Sequence, residues 1–351
     1  MFRVSKFMLS GLALALACTA ASAAPVYSNF PVTAKYGVVG GGLPDGRLII
    51  YNGDAVFLQT APNVDSFTSV ATGYEGDPSF LAVSPDGTEA LMGAGGFGDL
   101  YTGDIYRFNV TAPANFAPSA VALNRNHYSA VYLSPTLLLI DAGVFPNSEL
   151  AIVDVTAKSG GQAPVTVVNK PVAKANVVDP KPGFSAHVAY DGATDTVYAM
   201  DSNARELRAF SGAALIDAYN NTLLLDWTTD SALVGQAGDY YSGGVAGITT
   251  DGNLIIDGSE GFGLPGGVQL VNPNTGAILN TTDPAGDEGF TTVIVNVANE
   301  EVVVQQSGQN FTLSFDDLDP APVGPTPGLP VGGSAVVITT IALGALMARR
   351  R

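Results

Sequence analysis

Apolar residues along this chain fall in short runs rather than in helical stripes. The clearest case is Phe80-Leu81-Ala82-Val83, then Ser84-Pro85-Asp86-Gly87, then Ala90-Leu91-Met92. Runs of this length bounded by Pro, Asp and Gly predict two strands joined by a tight turn. Pro presets φ, Asp hydrogen-bonds its own backbone and Gly accepts positive φ. The pattern returns around Pro44-Asp45-Gly46, Ser134-Pro135-Thr136, Asp191-Gly192 and Asp251-Gly252, and more weakly around Asn299-Glu300.

Each copy is followed by a further apolar run, at 55–58, 104–110, 149–155, 206–210, 267–271 and 310–315. Most copies then add an outer-strand candidate, such as 164–168 or 223–227. Four short antiparallel strands make a sheet with two uncovered faces, and radial stacking of such sheets covers both. The turns recur every ~40 to 60 residues, the period of propeller blades. The expected fold is therefore an all-β propeller of six blades. A seventh fits only if the long unit at 169–221 hides one, and a β-sandwich is the other arrangement for such strand content.

The last unit supplies three strands, while residues 26–33 precede the first inner strand as an unassigned extended stretch. This stretch is expected to be the outer strand of the last blade, closing the ring by pairing the chain ends. Pro31 suits an outermost position, where one missing amide is tolerated. Only 212–219 has a helical pattern, and it falls in an inter-strand loop.

The ends differ from the body. Residues 1–23 read as a signal peptide: Arg3 and Lys6, an apolar centre over 8–17, and Ala21-Ser22-Ala23 before a cleavage point between Ala23 and Ala24. The single cysteine, Cys18, lies inside it, so the body from 24 to 319 is expected to hold without disulfides. Residues 320–330 form a Pro/Gly-rich linker that cannot pack. Residues 331–348 are uncharged and apolar, just long enough for one transmembrane helix, and Arg349, Arg350 and Arg351 would stay cytoplasmic.

This layout resembles the PEP-CTERM sorting tail of exported bacterial proteins. Pro325-Thr326-Pro327 or Leu329-Pro330 stands where that family has Pro-Glu-Pro. The resemblance implies an exosortase-like processing enzyme as a partner and an envelope or extracellular location. Plain C-terminal anchoring without processing is the other reading.

Charge narrows the partners. The chain has 15 Lys+Arg against 32 Asp+Glu, and five of the basic residues sit at its ends. The remaining ten basic and 32 acidic residues leave the body at −22. A field of that sign repels phosphate backbones, which excludes nucleic acid as a partner.

Candidate chemistry lies in the loops leading into the inner strands. They carry Glu75 and Asp77, Asp179, Asp239, and Asp287 with Glu288. In a closed ring these carboxylates converge on one channel mouth, where oxygen ligands would suit Ca²⁺. His127 and His187, the only histidines, flank or open inner strands and are the weak catalytic candidates. No phosphate-binding loop, HExxH or paired cysteines accompany them.

The repeated Pro-Asp-Gly turns resemble those of the NHL, YVTN and lactonase-like propellers, a group of binding modules and enzymes. Two functions follow as expectations. One is an exported, tail-anchored binding or matrix module for a surface carbohydrate or protein. The other is a Ca²⁺-dependent hydrolase or lyase using the acidic mouth.

Overall fold

A computed structural model of the chain describes residues 27–32, 38–72, 77–95, 104–111, 117–122, 129–142, 148–156, 165–170, 188–201, 206–235, 244–258, 267–283, 291–306 and 309–318. Its strands form six sheets. The first blade is β1 (Val39–Gly42), β2 (Leu48–Tyr51), β3 (Ala55–Gln59) and β4 (Phe67–Thr72). The second is β5 (Asp77–Val83), β6 (Glu89–Gly95), β7 (Asp104–Asn109) and β8 (Ala117–Ala122). The third is β9 (Ser129–Tyr132), β10 (Leu137–Asp141), β11 (Ser148–Asp154) and β12 (Val165–Lys170).

The fourth blade is β13 (Val188–Asp191), β14 (Thr196–Asp201), β15 (Glu206–Ser211) and β17 (Ala232–Gly235). Helix α1 (Gly212–Asn221) and the two-residue β16 (Leu225–Asp226) lie between its last two strands. The fifth is β18 (Gly244–Ile248), β19 (Leu254–Asp257), β20 (Val268–Val271) and β21 (Ile278–Thr282). The sixth has β22 (Thr291–Asn296), β23 (Glu301–Gln306) and β24 (Gln309–Ser314), followed by a short helix α2 (Phe315–Leu318). Each inner strand lies beside the next, from β1 through β5, β9, β13 and β18 to β22, and β22 returns to β1. The ring is closed, with six blades.

The second strands show why the sheets stack. All four residues of β2 are buried, and their side chains alternate between two neighbours. Ile49 and Tyr51 pack with Met92 and Phe108 of the second blade, whereas Leu48 and Ile50 pack with Ile294 and Val303 of the sixth. In β10, Leu138 and Ile140 face the second blade and Leu139 the fourth. In β19, Leu254 and Ile256 face the fourth and Ile255 the sixth. A strand covered on both faces reads as an unbroken apolar run. The core is thus six wedges, one per blade interface.

Glycines let the inner strands approach. A Cβ on Gly40 would lie 2.6 Å from Ile294 Cδ1, one on Gly41 3.1 Å from Val83 Cγ2, and one on Gly42 2.6 Å from Asn296 Oδ1. The run Gly40-Gly41-Gly42 is therefore a packing device between the sixth, first and second blades.

Ring closure differs from the expectation. The described part of the N-terminal stretch, residues 27–32, is a turn and adds no strand to the last blade. Its amides are taken elsewhere. Ser28 N and Asn29 N donate to the Asp65 carboxylate at 3.0 and 2.9 Å, and Val32 N donates to Phe30 O. Groups bonded this way are not available to a ladder.

The stretch instead fills the wedge between the sixth and first blades. Tyr27 and Phe30 are buried with Ile50, Ile294 and Val303, and both rings meet Phe67 edge-on. Tyr27 Oη donates to both carboxylate oxygens of Glu301, at 3.2 and 3.1 Å. Glu301, 2% exposed, also accepts from Asn296 Nδ2 at 2.7 Å and Asn299 Nδ2 at 3.3 Å. Both asparagines donate to Gly46 O in the first blade. The seam is closed by an aromatic plug and a buried carboxylate rather than by a shared sheet.

Helix α1 forms where expected, with the Ser211 side chain accepting from Ala214 N at its start. The stretch 223–227 departs from expectation. Only Leu225–Asp226 is strand, and it pairs in parallel with β12 of the third blade, not with its own. The Asp226 carboxylate ends the strand by accepting from Thr228 N and Thr229 N. Trp227, 1% exposed, packs edge-on against Phe210 at 5.4 Å between the third and fourth blades. Among the described residues no helix is long and apolar enough to cross a membrane. The signal stretch with Ala23 and Ala24, and the tail with Pro325, Pro327, Pro330 and the three arginines, lie outside the described residues.

Two outcomes follow for the seam. Tyr27→Ala is expected to lower unfolding free energy by ~3–5 kcal/mol and Tyr27→Phe by ~1–2 kcal/mol in urea titrations. An alanine cost below ~1 kcal/mol would show that the plug does not hold the ring. Separately, desolvation raises the Asp65 pKa, but hydrogen bonds from Ser28 and Asn29 outweigh it and hold the group below 3.8. A depressed folded pKa gives stability that is present above the unfolded value and lost as pH falls through the folded one. An acid titration followed by the Asp65 carboxyl NMR signal should therefore show release of Ser28 and Asn29 only below about pH 4. Asp65→Ala should remove that limb of the stability curve.

Candidate binding site at the hairpin end of the ring

The two ends of the ring are built from different loops. At one end sit the hairpins joining each inner strand to its second strand, and these touch one another. Asn299 Nδ2 donates to Gly46 O at 2.7 Å, and Thr250 Oγ1 donates to Glu300 Oε1 at 3.1 Å. A Cβ on Gly87 would lie 2.5 Å from Pro44 Cδ. The hairpins of the fifth, sixth, first and second blades thus make one continuous rim, and their inner strands begin at the other end.

Of the carboxylates expected at that other end, one falls among the described residues. Asp77 opens β5, with its backbone opposite Gly95. Asp179, Asp239, Asp287 and Glu288, and both His127 and His187, lie outside the described residues. The strand starts that follow the two histidines do meet: Val188 N donates to Ser129 Oγ at 3.0 Å. Among the described residues no group of three or more His, Cys, Asp or Glu could hold a metal ion.

Two acids here escaped the sequence reading. Asp141 and Asp257, 3% and 2% exposed, end the second strands of the third and fifth blades, opposite Ser129 and Gly244. Their signal was an aspartate closing an apolar strand, in Leu139-Ile140-Asp141 and Ile255-Ile256-Asp257.

Other charged or ionisable groups serve the framework. Arg107 pairs with Glu89 at 3.1 Å, and Tyr132 Oη donates to the same carboxylate at 3.0 Å. Burial first, then the Glu89 charge, pushes the Tyr132 pKa up, and burial does the same to Tyr27. Both phenols stay protonated near neutrality and act as donors, not bases.

The hairpin end carries an open hollow. It has a volume of about 340 Å³ and lies among Leu43 and Pro44, Val83 and Ser84, and Val297 and Ala298, so the first, second and sixth blades share it. Its walls are mostly apolar, with Ser84 among them, and Val297 is 46% exposed. The turns that hold it are self-capped. Ser84 Oγ donates to Asp86 Oδ1 at 2.7 Å, Thr88 N donates to the same atom at 3.1 Å, and Glu89 N donates to Ser84 Oγ at 3.0 Å. Hydrogen bonds from Ser84 and then Thr88 hold the Asp86 carboxyl below its ordinary pKa. Thr249 and Asn253 close the fifth hairpin on Asp251 in the same way. Gly46, Gly87 and Gly252 take φ of 85°, 69° and 86° at these turns.

Closed ring, radial sheets and capped hairpins together define a six-bladed β-propeller. No family model matches the chain, and no curated protein does. Solved structures are similar in fold. A gluconolactonase of Xanthomonas campestris shares 11% identity at a TM-score of 0.53, over 79% of this chain and 85% of that one. A nidogen–laminin complex gives 10% and 0.49, over 71% and 80%. A protein of Bacteroides thetaiotaomicron gives 11% and 0.48, over 78% and 68%. At such identities the likeness concerns the propeller alone.

The rim contact can be isolated with two glycines of like backbone. Nothing lies within 4 Å of a Cβ on Gly252, whereas one on Gly87 meets Pro44. Gly252→Ala should cost ~1–2 kcal/mol from the left-handed backbone alone, and Gly87→Ala ~1–3 kcal/mol more. Equal losses in paired urea titrations would mean that the first and second hairpins do not bear on each other.

Proposed function

We propose that this chain is an exported propeller that acts as a binding or matrix module at the cell envelope, held or sorted by its C-terminal tail. The observation that supports the reading is a closed ring of six blades, in a chain whose terminal sequences read as export and sorting signals. On this reading residues 1–23 serve as the export signal, and the proline linker, apolar stretch and terminal arginines serve as the anchor or sorting tail of a body whose described residues supply a hollow. The high negative charge suits a soluble domain outside the cell and keeps it from anionic surfaces.

A second reading has a specific observation behind it. Asp141 and Asp257 are buried at the end of the ring where Asp77 begins β5, and carboxylate oxygens are the ligand type that Ca²⁺ takes. A Ca²⁺-dependent hydrolase or lyase would use those acids together with Asp179, Asp239, Asp287, Glu288 and one of the histidines.

Fractionation of the producing cells tests the first reading. The full chain should stay with the envelope and a chain ending at Leu318 should appear in the medium; equal partition of the two would sink it. Adding CaCl₂ to a thermal melt separates the readings, because a ligand that binds only the folded state raises the midpoint. A binding module predicts no shift and no turnover of lactones. A rise of ~5 °C or more, with turnover lost in His187→Ala, would select the hydrolase.

A further inference from the structure

The hollow at the hairpin end adjoins hairpins that carry exposed carboxylates. Asp251, Glu300, Asp45 and Asp86 are all exposed, one in each hairpin of the fifth, sixth, first and second blades. Among the described residues of the six hairpins the one basic side chain is Arg47, and Asp45 holds it at 2.8 Å. The carboxylates have local partners in their turns, yet those partners are mostly neutral hydroxyls, amides and backbone N–H groups. Such bonds leave the negative charge in place, and in the case of Asp86 they keep it ionised further into acid.

The two features select one kind of ligand. A hollow of about 340 Å³ is at the small end of ligand sites and has room for an apolar side chain. Among the described residues no aromatic ring lines it, and those residues offer no stacking platform for a sugar or a base. The surrounding charge attracts cations and repels phosphate and carboxylate. We propose that the hairpin end of this propeller docks a basic polypeptide segment through one apolar side chain. That side chain lies among Leu43, Pro44, Val83 and Val297, and flanking lysines or arginines meet Asp45, Asp86, Asp251 and Glu300. The proposal rests on the binding-module reading and adds to it which end of the ring binds and what chemistry it takes.

Such a contact has a distinct signature. One buried side chain makes a weak contact, so the charges supply much of the encounter rate and orientation, and binding falls as salt rises. A hydrophobic ligand alone would not show that salt dependence, and a purely ionic one would not depend on the side chain.

The experiment uses the full chain and a short fluorescent peptide with one leucine flanked on both sides by lysines. Binding is expected to saturate at low salt and to weaken at least ~5-fold between 0.05 and 0.5 M NaCl. Serine in place of the leucine should weaken it at least ~5-fold. Val297→Lys, at a half-exposed position, should weaken it ~10-fold or more, with Ala298→Lys as a second variant at the same wall. Leu224→Lys, on an exposed leucine away from the hairpins, should change nothing, and melting curves confirm that each variant is folded. Absence of saturable binding overturns the proposal, as does equal binding of the serine peptide. Binding that survives both Val297→Lys and Ala298→Lys overturns the assignment to this hollow while leaving the binding-module reading intact. Failure of tail-dependent envelope retention would do the reverse.

Discussion

Every sheet in this protein needs a neighbour on each face, and the place where that requirement is hardest to meet is the seam between the last blade and the first. Among the described residues the sixth blade has three strands, so there the outer part of the first blade faces no fourth strand across the wedge. Tyr27 and Phe30 supply the missing apolar surface, and Phe67 of β4 receives them. The polar half of the seam is less usual. Glu301 is buried with a phenol and two side-chain amides as donors. A buried carboxylate is costly unless hydrogen-bonded, and here three neutral side chains share that task. Those side chains belong to the N-terminal stretch and the sixth blade, while the asparagines also grip the first, so one acid joins three parts of the chain.

Much of the architecture was legible because the repeat is written twice over, in apolar runs and in turn chemistry. Leu48-Ile49-Ile50-Tyr51 and Leu254-Ile255-Ile256 announce strands covered on both sides, and the Pro-Asp-Gly turns place the hairpins. Closure was not legible, since it depends on Asp65 claiming the amides of Ser28 and Asn29 from a loop far along the chain. Local pattern cannot report a partner at that separation. The same holds for Leu225-Asp226, whose parallel pairing with β12 follows from where α1 sets the chain down.

The site was less legible than the fold. Turn aspartates such as Asp86 read as structural, and they are, but the hairpins that carry them also form or adjoin a hollow that only the assembled ring creates. Asp141 and Asp257 were overlooked because an acid at the end of an apolar strand looks like the start of a loop, whereas both are buried. The two ends of this propeller differ: the hairpin end has an open hollow and exposed turn acids, and the other end has the buried Asp141 and Asp257. Which end a ligand uses is a property of side chains, not of the ring.

The short helix α2 has a mechanical consequence. Leu318 is buried, and its carbonyl accepts a hydrogen bond from Asn280 in β21 of the fifth blade. Tension transmitted along the chain from beyond this point would reach the outer strand of the fifth blade before it reached β24. The load would therefore enter through a side-chain latch on a complete four-stranded sheet, shielding the three-stranded one and the aromatic seam behind it.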